Sequence, residues 1–177
     1  MRRRLLVILS FLVIAFLVVT LQLAFINTLP GVWGRFNPLL LTAVFVLFFF
    51  DLESALIFAL ALGLWLDIFS FVPFGFNISL LILTVLALHL LLTNWLTNRS
   101  FYSFAALALA AVLINNVLSA LIVLLASALG PDKAIFWFTS LDFWRRLAWQ
   151  LLGNLVLSLL FFNLMSLVGR KVKICVL

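Results

Sequence analysis

One segment of the chain combines residue types that could do chemistry inside an apolar environment. Asp67 is the only acid well inside an apolar run, with Gly63 four residues before it and Ser70 three residues after it. This spacing places the three on one face of a helix. A carboxylate at membrane depth is costly without a partner, so this face is expected to meet a partner helix or a ligand, or a nearby turn. The favoured interpretation is that Asp67 accepts hydrogen bonds from residues 74–77 and fixes that turn.

The only histidine, His89, gives little support for catalysis or metal binding. It lies in an apolar run with Thr93 one turn further on, whereas a zinc site needs three or four ligands, and the single cysteine, Cys175, lies elsewhere. The sequence contains no glycine-rich phosphate loop, no His-Glu-x-x-His and no Gly-x-Ser-x-Gly. We therefore expect no enzymatic activity, no metal and no cofactor, and we expect His89 to bond to another helix.

Amide side chains recur in two later apolar runs. Asn115 and Asn116 are adjacent, while Gln150, Asn154 and Ser158 are spaced by four residues and share a helix face. Such groups form interhelical hydrogen bonds in membrane proteins. We expect them to join helices.

The composition of the chain indicates whether these groups lie in a soluble protein or in a membrane protein. The chain has 177 residues, 68% of them hydrophobic and 9% charged, with a mean hydropathy of +1.40. Soluble domains are about half apolar and about a quarter charged, so the sequence predicts an integral membrane protein. The net charge of +6 is concentrated near the two ends of the chain, which suits an anionic membrane surface better than a nucleic acid.

The predicted fold is all-α, a single six-helix transmembrane domain covering residues 1–177. Prolines, glycines and short polar turns divide the apolar runs, and a helix needs about 20 residues to cross the bilayer. The run at residues 131–146 mixes charged and aromatic residues, which is typical of an interfacial segment, with a re-entrant segment as the alternative. The predicted spans are residues 5–26, 38–52, 54–71, 77–96, 101–129 and 147–168.

Lysine and arginine predict the orientation. With six spans and a cytoplasmic N-terminus, seven basic residues fall on the cytoplasmic side and four, Arg35, Lys133, Arg145 and Arg146, fall outside. We therefore expect both termini to be cytoplasmic. Asn77 is expected to be the N-cap of the fourth span.

The order of features in residues 37–99 resembles the rod shape-determining MreD family of bacteria. The specific part is the pattern formed by Gly63, Asp67, Ser70, Pro73 and Gly75. The length, the six spans and the basic ends are also similar to that family.

The resemblance implies a non-enzymatic subunit of the complex that directs sidewall peptidoglycan synthesis, in the bacterial cytoplasmic (inner) membrane. Members associate with the single-span protein MreC, and through it with MreB, RodA and penicillin-binding protein 2. It also implies a fold similar to the substrate-binding subunits of energy-coupling-factor vitamin transporters. Gly63, Asp67, Pro73 and Gly75 would shape the outer end of the third and fourth spans.

Two functions remain open from the residues themselves. A scaffold would bind a partner's transmembrane helix, and the small residues Ala105, Ala106, Ala108, Ala110 and Ala111 predict a closely approachable surface for it. The alternative is a vitamin-importer subunit whose outer pocket would draw polar groups from Asp67, Asn77, Gln22 and Trp33.

Overall fold

The computed structural model describes residues 2–26, 28, 37–70, 72–96, 101–128 and 141–171, and these residues form helices and turns with no strand among them. The six helices of this part of the chain are α1 (Arg2–Leu21), α2 (Pro38–Phe49), α3 (Leu52–Phe69), α4 (Phe76–Asn94), α5 (Phe101–Ala128) and α6 (Leu141–Lys171). A π-helical turn, Gln22–Ile26, follows α1. The predicted all-α fold is confirmed.

Four of the helices are long and apolar enough to cross a membrane, so the chain is a multi-pass membrane protein. The apolar windows are Leu9–Ile26, Leu52–Phe69, Phe76–Asn94 and Tyr102–Ile122. Shorter apolar stretches are Pro38–Phe49 and Leu147–Leu160. Leucine and phenylalanine side chains project outward from these helices, as expected of a surface in contact with lipid.

The short helix α2 is an internal helix. Its 12 residues measure about 18 Å at 1.5 Å per residue, well short of the hydrocarbon thickness of a bilayer. Eight of them, all hydrophobic, are buried, and α2 contacts α3, α5, α4, α6 and α1. Burial among other helices therefore compensates for a length that would leave it too short to span alone.

Three helix starts differ from the sequence prediction. Helix α3 begins at Leu52 rather than residue 54, because Asp51 occupies the N-cap position and Glu53 lies in the first turn, where an acid suits the positive end of the helix dipole. Helix α4 begins at Phe76, with Gly75 at the N-cap. Helix α6 begins at Leu141, so residues 141–146 of the predicted interfacial segment are its first turns, and residues 131–140 lie outside the described residues.

The core forms where α3 and α5 meet the other helices. Helix α3 packs against α4, α1 and α2, and α5 packs against α4, α6 and α2. The largest fully buried side chains include Phe58, Leu62, Leu88 and Leu107. The rings of Phe11 and Phe58 meet edge to face with centroids 5.6 Å apart, a geometry favoured by the ring quadrupoles.

Candidate functional site

The Asp67 carboxylate lies at the start of α4, although it belongs to α3. Its Oδ2 accepts hydrogen bonds from the backbone N–H groups of Gly75 at 2.8 Å and Ile78 at 3.4 Å. Its Oδ1 accepts from the backbone N–H of Asn77 at 3.0 Å. Asp67 is 5% exposed. The prediction that Asp67 fixes this turn is confirmed, and the partner is the N-terminus of a neighbouring helix in the same chain.

This arrangement supplies a helix cap from outside the helix. The first N–H groups of a helix have no partner within it, and together they form a partly positive end. The N-cap residue of α4 is Gly75, which has no side chain to accept these hydrogen bonds. Asp67 takes over that function, and its negative charge is balanced by the amides that it binds.

Asn77 connects the two helices, but it is not the N-cap that the sequence predicts. Its Nδ2 donates to Asp67 Oδ1 at 2.9 Å and to Ser70 Oγ at 3.1 Å. The N-cap falls two residues earlier because Gly75 has a φ of 95°, a left-handed conformation that glycine adopts without steric cost. Asn77 is thereby placed in the first turn of α4, facing the end of α3.

Gly63 permits the close approach of α3 and α4. A Cβ atom at this position would lie 2.6 Å from Ile78 Cα and 2.9 Å from the Ile78 backbone nitrogen. Both are main-chain atoms, so no change of rotamer can relieve the contact. Pro73 completes the turn by accepting a hydrogen bond from the N–H of Phe76 at 3.1 Å.

The predicted residues of this segment therefore meet in one place, which we term the α3–α4 joint. Gly63 sets the helix spacing, and the Asp67 carboxylate caps the second helix. Ser70 and Asn77 tie the helix ends together, and Gly75 makes the turn. The joint comprises Gly63, Asp67, Ser70, Pro73, Gly75 and Asn77.

A second polar cluster, which we term the amide seam, joins α6 to α5 and to the start of α2. Asn116 Nδ2 donates to Gln150 Oε1 at 3.1 Å. The backbone N–H of Asn37 donates to Asn154 Oδ1 at 3.3 Å, and Asn154 is 1% exposed. The predicted interhelical role is confirmed for these residues. Ser158 differs, since its hydroxyl donates to the Leu155 carbonyl of its own helix at 2.8 Å.

A double-mutant cycle can measure the α5–α6 bond of the amide seam. We expect Asn116→Leu and Gln150→Met to show a coupling energy of about 1 kcal/mol, as is common for interhelical hydrogen bonds in membranes. The measurement is the free energy of unfolding in mixed micelles titrated with a denaturing detergent. Additive single effects, with no coupling, would show that the 3.1 Å contact contributes nothing to the packing of the two helices.

The predicted alanine surface of α5 is wrong at two of its positions. Ala108 is 2% exposed and Ala111 has no exposure, because this face of α5 packs into the core of the chain. Their small side chains allow neighbouring helices of the same chain to approach, so they are not available to a partner. Ala106 is exposed, while Ala105 and Ala110 are half-buried.

Replacing single alanines of α5 with leucine should therefore show which positions lie in the core and which lie on the outer surface. We expect Ala108→Leu to lower the free energy of unfolding by about 1–3 kcal/mol through overpacking. The matched change Ala106→Leu on the exposed face should alter it by less than about 0.5 kcal/mol. Detergent unfolding of both variants tests the assignment, and equal stabilities would place Ala108 outside the core.

The residues suggested for an outer ligand pocket are largely engaged elsewhere. Asp67 and Asn77 belong to the α3–α4 joint, and Gln22 Oε1 accepts from the backbone N–H of Leu39 at 3.3 Å. Trp33 lies outside the described residues. Three of the four polar groups therefore already have hydrogen-bond partners within the chain.

His89 lies in the wall of a cavity, and it forms no side-chain hydrogen bond to another helix among the described residues. It is half-buried, and Thr93 Oγ donates to its backbone carbonyl at 3.1 Å. Within the described part of the chain, no three His, Cys, Asp or Glu side chains are grouped closely enough to hold a metal ion.

Comparison of the chain with protein-family models, with curated proteins and with solved structures finds no match.

Proposed function

We propose that the protein is a non-enzymatic membrane scaffold that binds the transmembrane helix of a single-span, MreC-like partner. It would act in the complex that directs sidewall peptidoglycan synthesis and cell shape. Its place would be the bacterial cytoplasmic membrane, with both termini cytoplasmic.

The observation that carries the proposal is the α3–α4 joint. The residues behind the resemblance, Gly63, Asp67, Pro73 and Gly75, lie on the two helices and the turn between them, and their contacts fix one helical hairpin. A motif whose residues act together in one structural element supports a family relationship better than scattered glycines and prolines do. The joint holds two long apolar helices at a fixed spacing, which is what a binding surface for another helix requires.

The use of the polar groups also favours a scaffold over an outer vitamin pocket. Asp67, Asn77 and Gln22 form hydrogen bonds within the chain, and the polar side chains of the amide seam do the same. By contrast, the outward faces of the helices are apolar, with Val117 on α5 56% exposed and Val156 on α6 50% exposed. Helix association within a bilayer proceeds through such packing surfaces.

Purification from the native membrane tests the function. The tagged chain is extracted in mild detergent and its companions are identified by mass spectrometry, with an equally tagged, unrelated multi-pass protein as the control. We expect a single-span protein together with cell-wall synthases. Recovery of ATPases with a retained vitamin-sized molecule would contradict the scaffold and assign the chain to the transporter class.

A further inference from the structure

A cavity of about 330 Å³ lies at the end of the molecule opposite the α3–α4 joint. It is bounded by the last turn of α2, the start of α3 and the last turns of α4. Leucines such as Leu47 and Leu92 line it, and its polar groups are Asp51, His89 and Thr93. The α3–α4 joint does not use any of these three residues.

The electrostatics of the cavity favour a cation. The C-terminal ends of α2 and α4 border it and are partly negative, because their last carbonyl groups have no partner within the helix, whereas the start of α3 on the third side is partly positive. The two negative ends and the Asp51 carboxylate outweigh the one positive end. Asp51 adds a carboxylate that is exposed and makes no cap hydrogen bond to its own helix. No lysine or arginine among the described residues lines the cavity.

The hydrogen-bonding groups of the cavity also fit a ligand that donates hydrogen bonds. Thr93 Oγ donates its proton to backbone carbonyls within α4, at 3.1 Å to His89 and 3.2 Å to Leu90. Its oxygen therefore keeps lone pairs that can accept a hydrogen bond, as can the Asp51 carboxylate. A primary ammonium group, with one positive charge and three N–H donors, matches this set.

The position and the size of the cavity indicate which class of molecule carries the ammonium group. Asp51 directly precedes α3, which is long and apolar enough to cross a bilayer, so its carboxylate is expected where the hydrocarbon gives way to headgroups. The volume is at the lower end of the range for small-molecule sites, enough for a headgroup and its first carbons. The leucine lining suits the apolar stem that follows a headgroup.

We infer that this cavity is a binding site for a phospholipid with a primary ammonium headgroup, of which phosphatidylethanolamine is the probe. Asp51 accepts from the ammonium group at the rim, and His89 and Thr93 contact it from α4. The leucines hold the adjoining apolar segment. This site does not depend on the proposed scaffold function, since it requires only a bilayer.

Native mass spectrometry of the full-length chain tests the site. The purified protein is equilibrated with equal amounts of phosphatidylethanolamine, phosphatidylcholine and phosphatidylglycerol. We expect at least about fivefold more retained phosphatidylethanolamine than either other lipid, because choline has no N–H donor and glycerol has no positive charge. Equal retention of the three lipids would overturn the assignment, whatever any variant shows.

Two matched variants locate the binding. Asp51→Asn preserves a good N-cap residue and should reduce the preference for phosphatidylethanolamine to less than about twofold. Glu53→Gln removes the same charge two residues away, outside the cavity lining, and should leave the preference unchanged. Equal losses in both variants would show a general effect of charge and overturn the site.

Two further outcomes would assign the cavity to another occupant. Displacement of phosphatidylethanolamine by an equal concentration of free ethanolamine would show that the acyl chains contribute nothing, which overturns a lipid site. Loss of a protein partner in Asp51→Asn, with no discrimination among lipids, would identify a lysine or arginine side chain of that partner as the cation and overturn it likewise.

Discussion

Replacing Asp67 with leucine should lower the free energy of unfolding by about 3 kcal/mol, since buried donors without acceptors each cost about 1–3 kcal/mol. The leucine leaves the N–H groups of Gly75, Asn77 and Ile78 without the carboxylate that now accepts from them. It also removes the negative charge at the start of α4. The measurement is the shift of the detergent-unfolding midpoint in mixed micelles.

The conservative variant Asp67→Asn separates geometry from charge. It keeps one acceptor oxygen, which can accept from only two of the four N–H groups that the carboxylate now binds, so we expect a loss of about 2 kcal/mol, smaller than that of Asp67→Leu. Ser70→Ala, which removes only the contact to Asn77 Nδ2, should cost about 1 kcal/mol. If Asp67→Leu were as stable as the native chain, the carboxylate would not be the cap of α4.

Replacing Gly63 with alanine should strongly destabilise the chain although it adds only one methyl group. Alanine is favoured over glycine by about 1 kcal/mol in a helix interior, so propensity alone predicts stabilisation. The new Cβ would lie 2.6 Å from Ile78 Cα, and α3 and α4 would have to separate. We expect a net loss of at least about 2 kcal/mol, within the range for overpacked cores.

A background variant shows whether the clash is with the main chain of α4. Ile78→Ala removes the side-chain atom that a Cβ at Gly63 would approach to 3.1 Å, but it leaves Ile78 Cα in place. Gly63→Ala should therefore remain destabilising when it is combined with Ile78→Ala. Full recovery of stability in the double variant would show that side-chain packing, not backbone approach, sets the spacing.

The sequence predicts the α3–α4 joint well because its determinants are local. Gly63, Asp67 and Ser70 share a face by the 3.6-residue period of a helix, and an acid in an apolar run must find donors nearby. The nearest free donors are those at the start of the next helix, only a short turn away. The exact start of α4 could not be predicted, because Asn77 is a good N-cap by type and only the left-handed φ of Gly75 moves the cap.

The direction in which each helix face points could not be predicted from the sequence. In a soluble helix a polar stripe marks the outside, but lipid and protein core are both apolar, so α5 is mainly hydrophobic both on its buried face and on its exposed face. Ala106 and Ala108 therefore have the same appearance in the sequence, although one is exposed and the other is 2% exposed. Only the packing of α5 against α2, α4 and α6 distinguishes them.

Contacts between distant segments of the chain could not be predicted from the sequence either. Asn154 binds the backbone of Asn37 across more than 100 residues, and Asp51 and His89 line one cavity because the α3–α4 hairpin returns the chain to the same end. The residues themselves could be selected by type, as polar groups in apolar runs. Their partners depend on how the helices are arranged, and apolar helices fit many arrangements.

Photocrosslinking in native membranes tests the scaffold most directly. A photoreactive amino acid is placed at Val117 on α5, at Val156 on α6 and at Leu17 on α1, each at least half exposed, and at the buried Ala111 as the control. If the protein is a scaffold, a photoreactive residue on one of the outward faces will crosslink to a single-span protein. The residue at the buried position will crosslink only within the chain. Crosslinks to lipid alone from all three exposed faces would contradict the account.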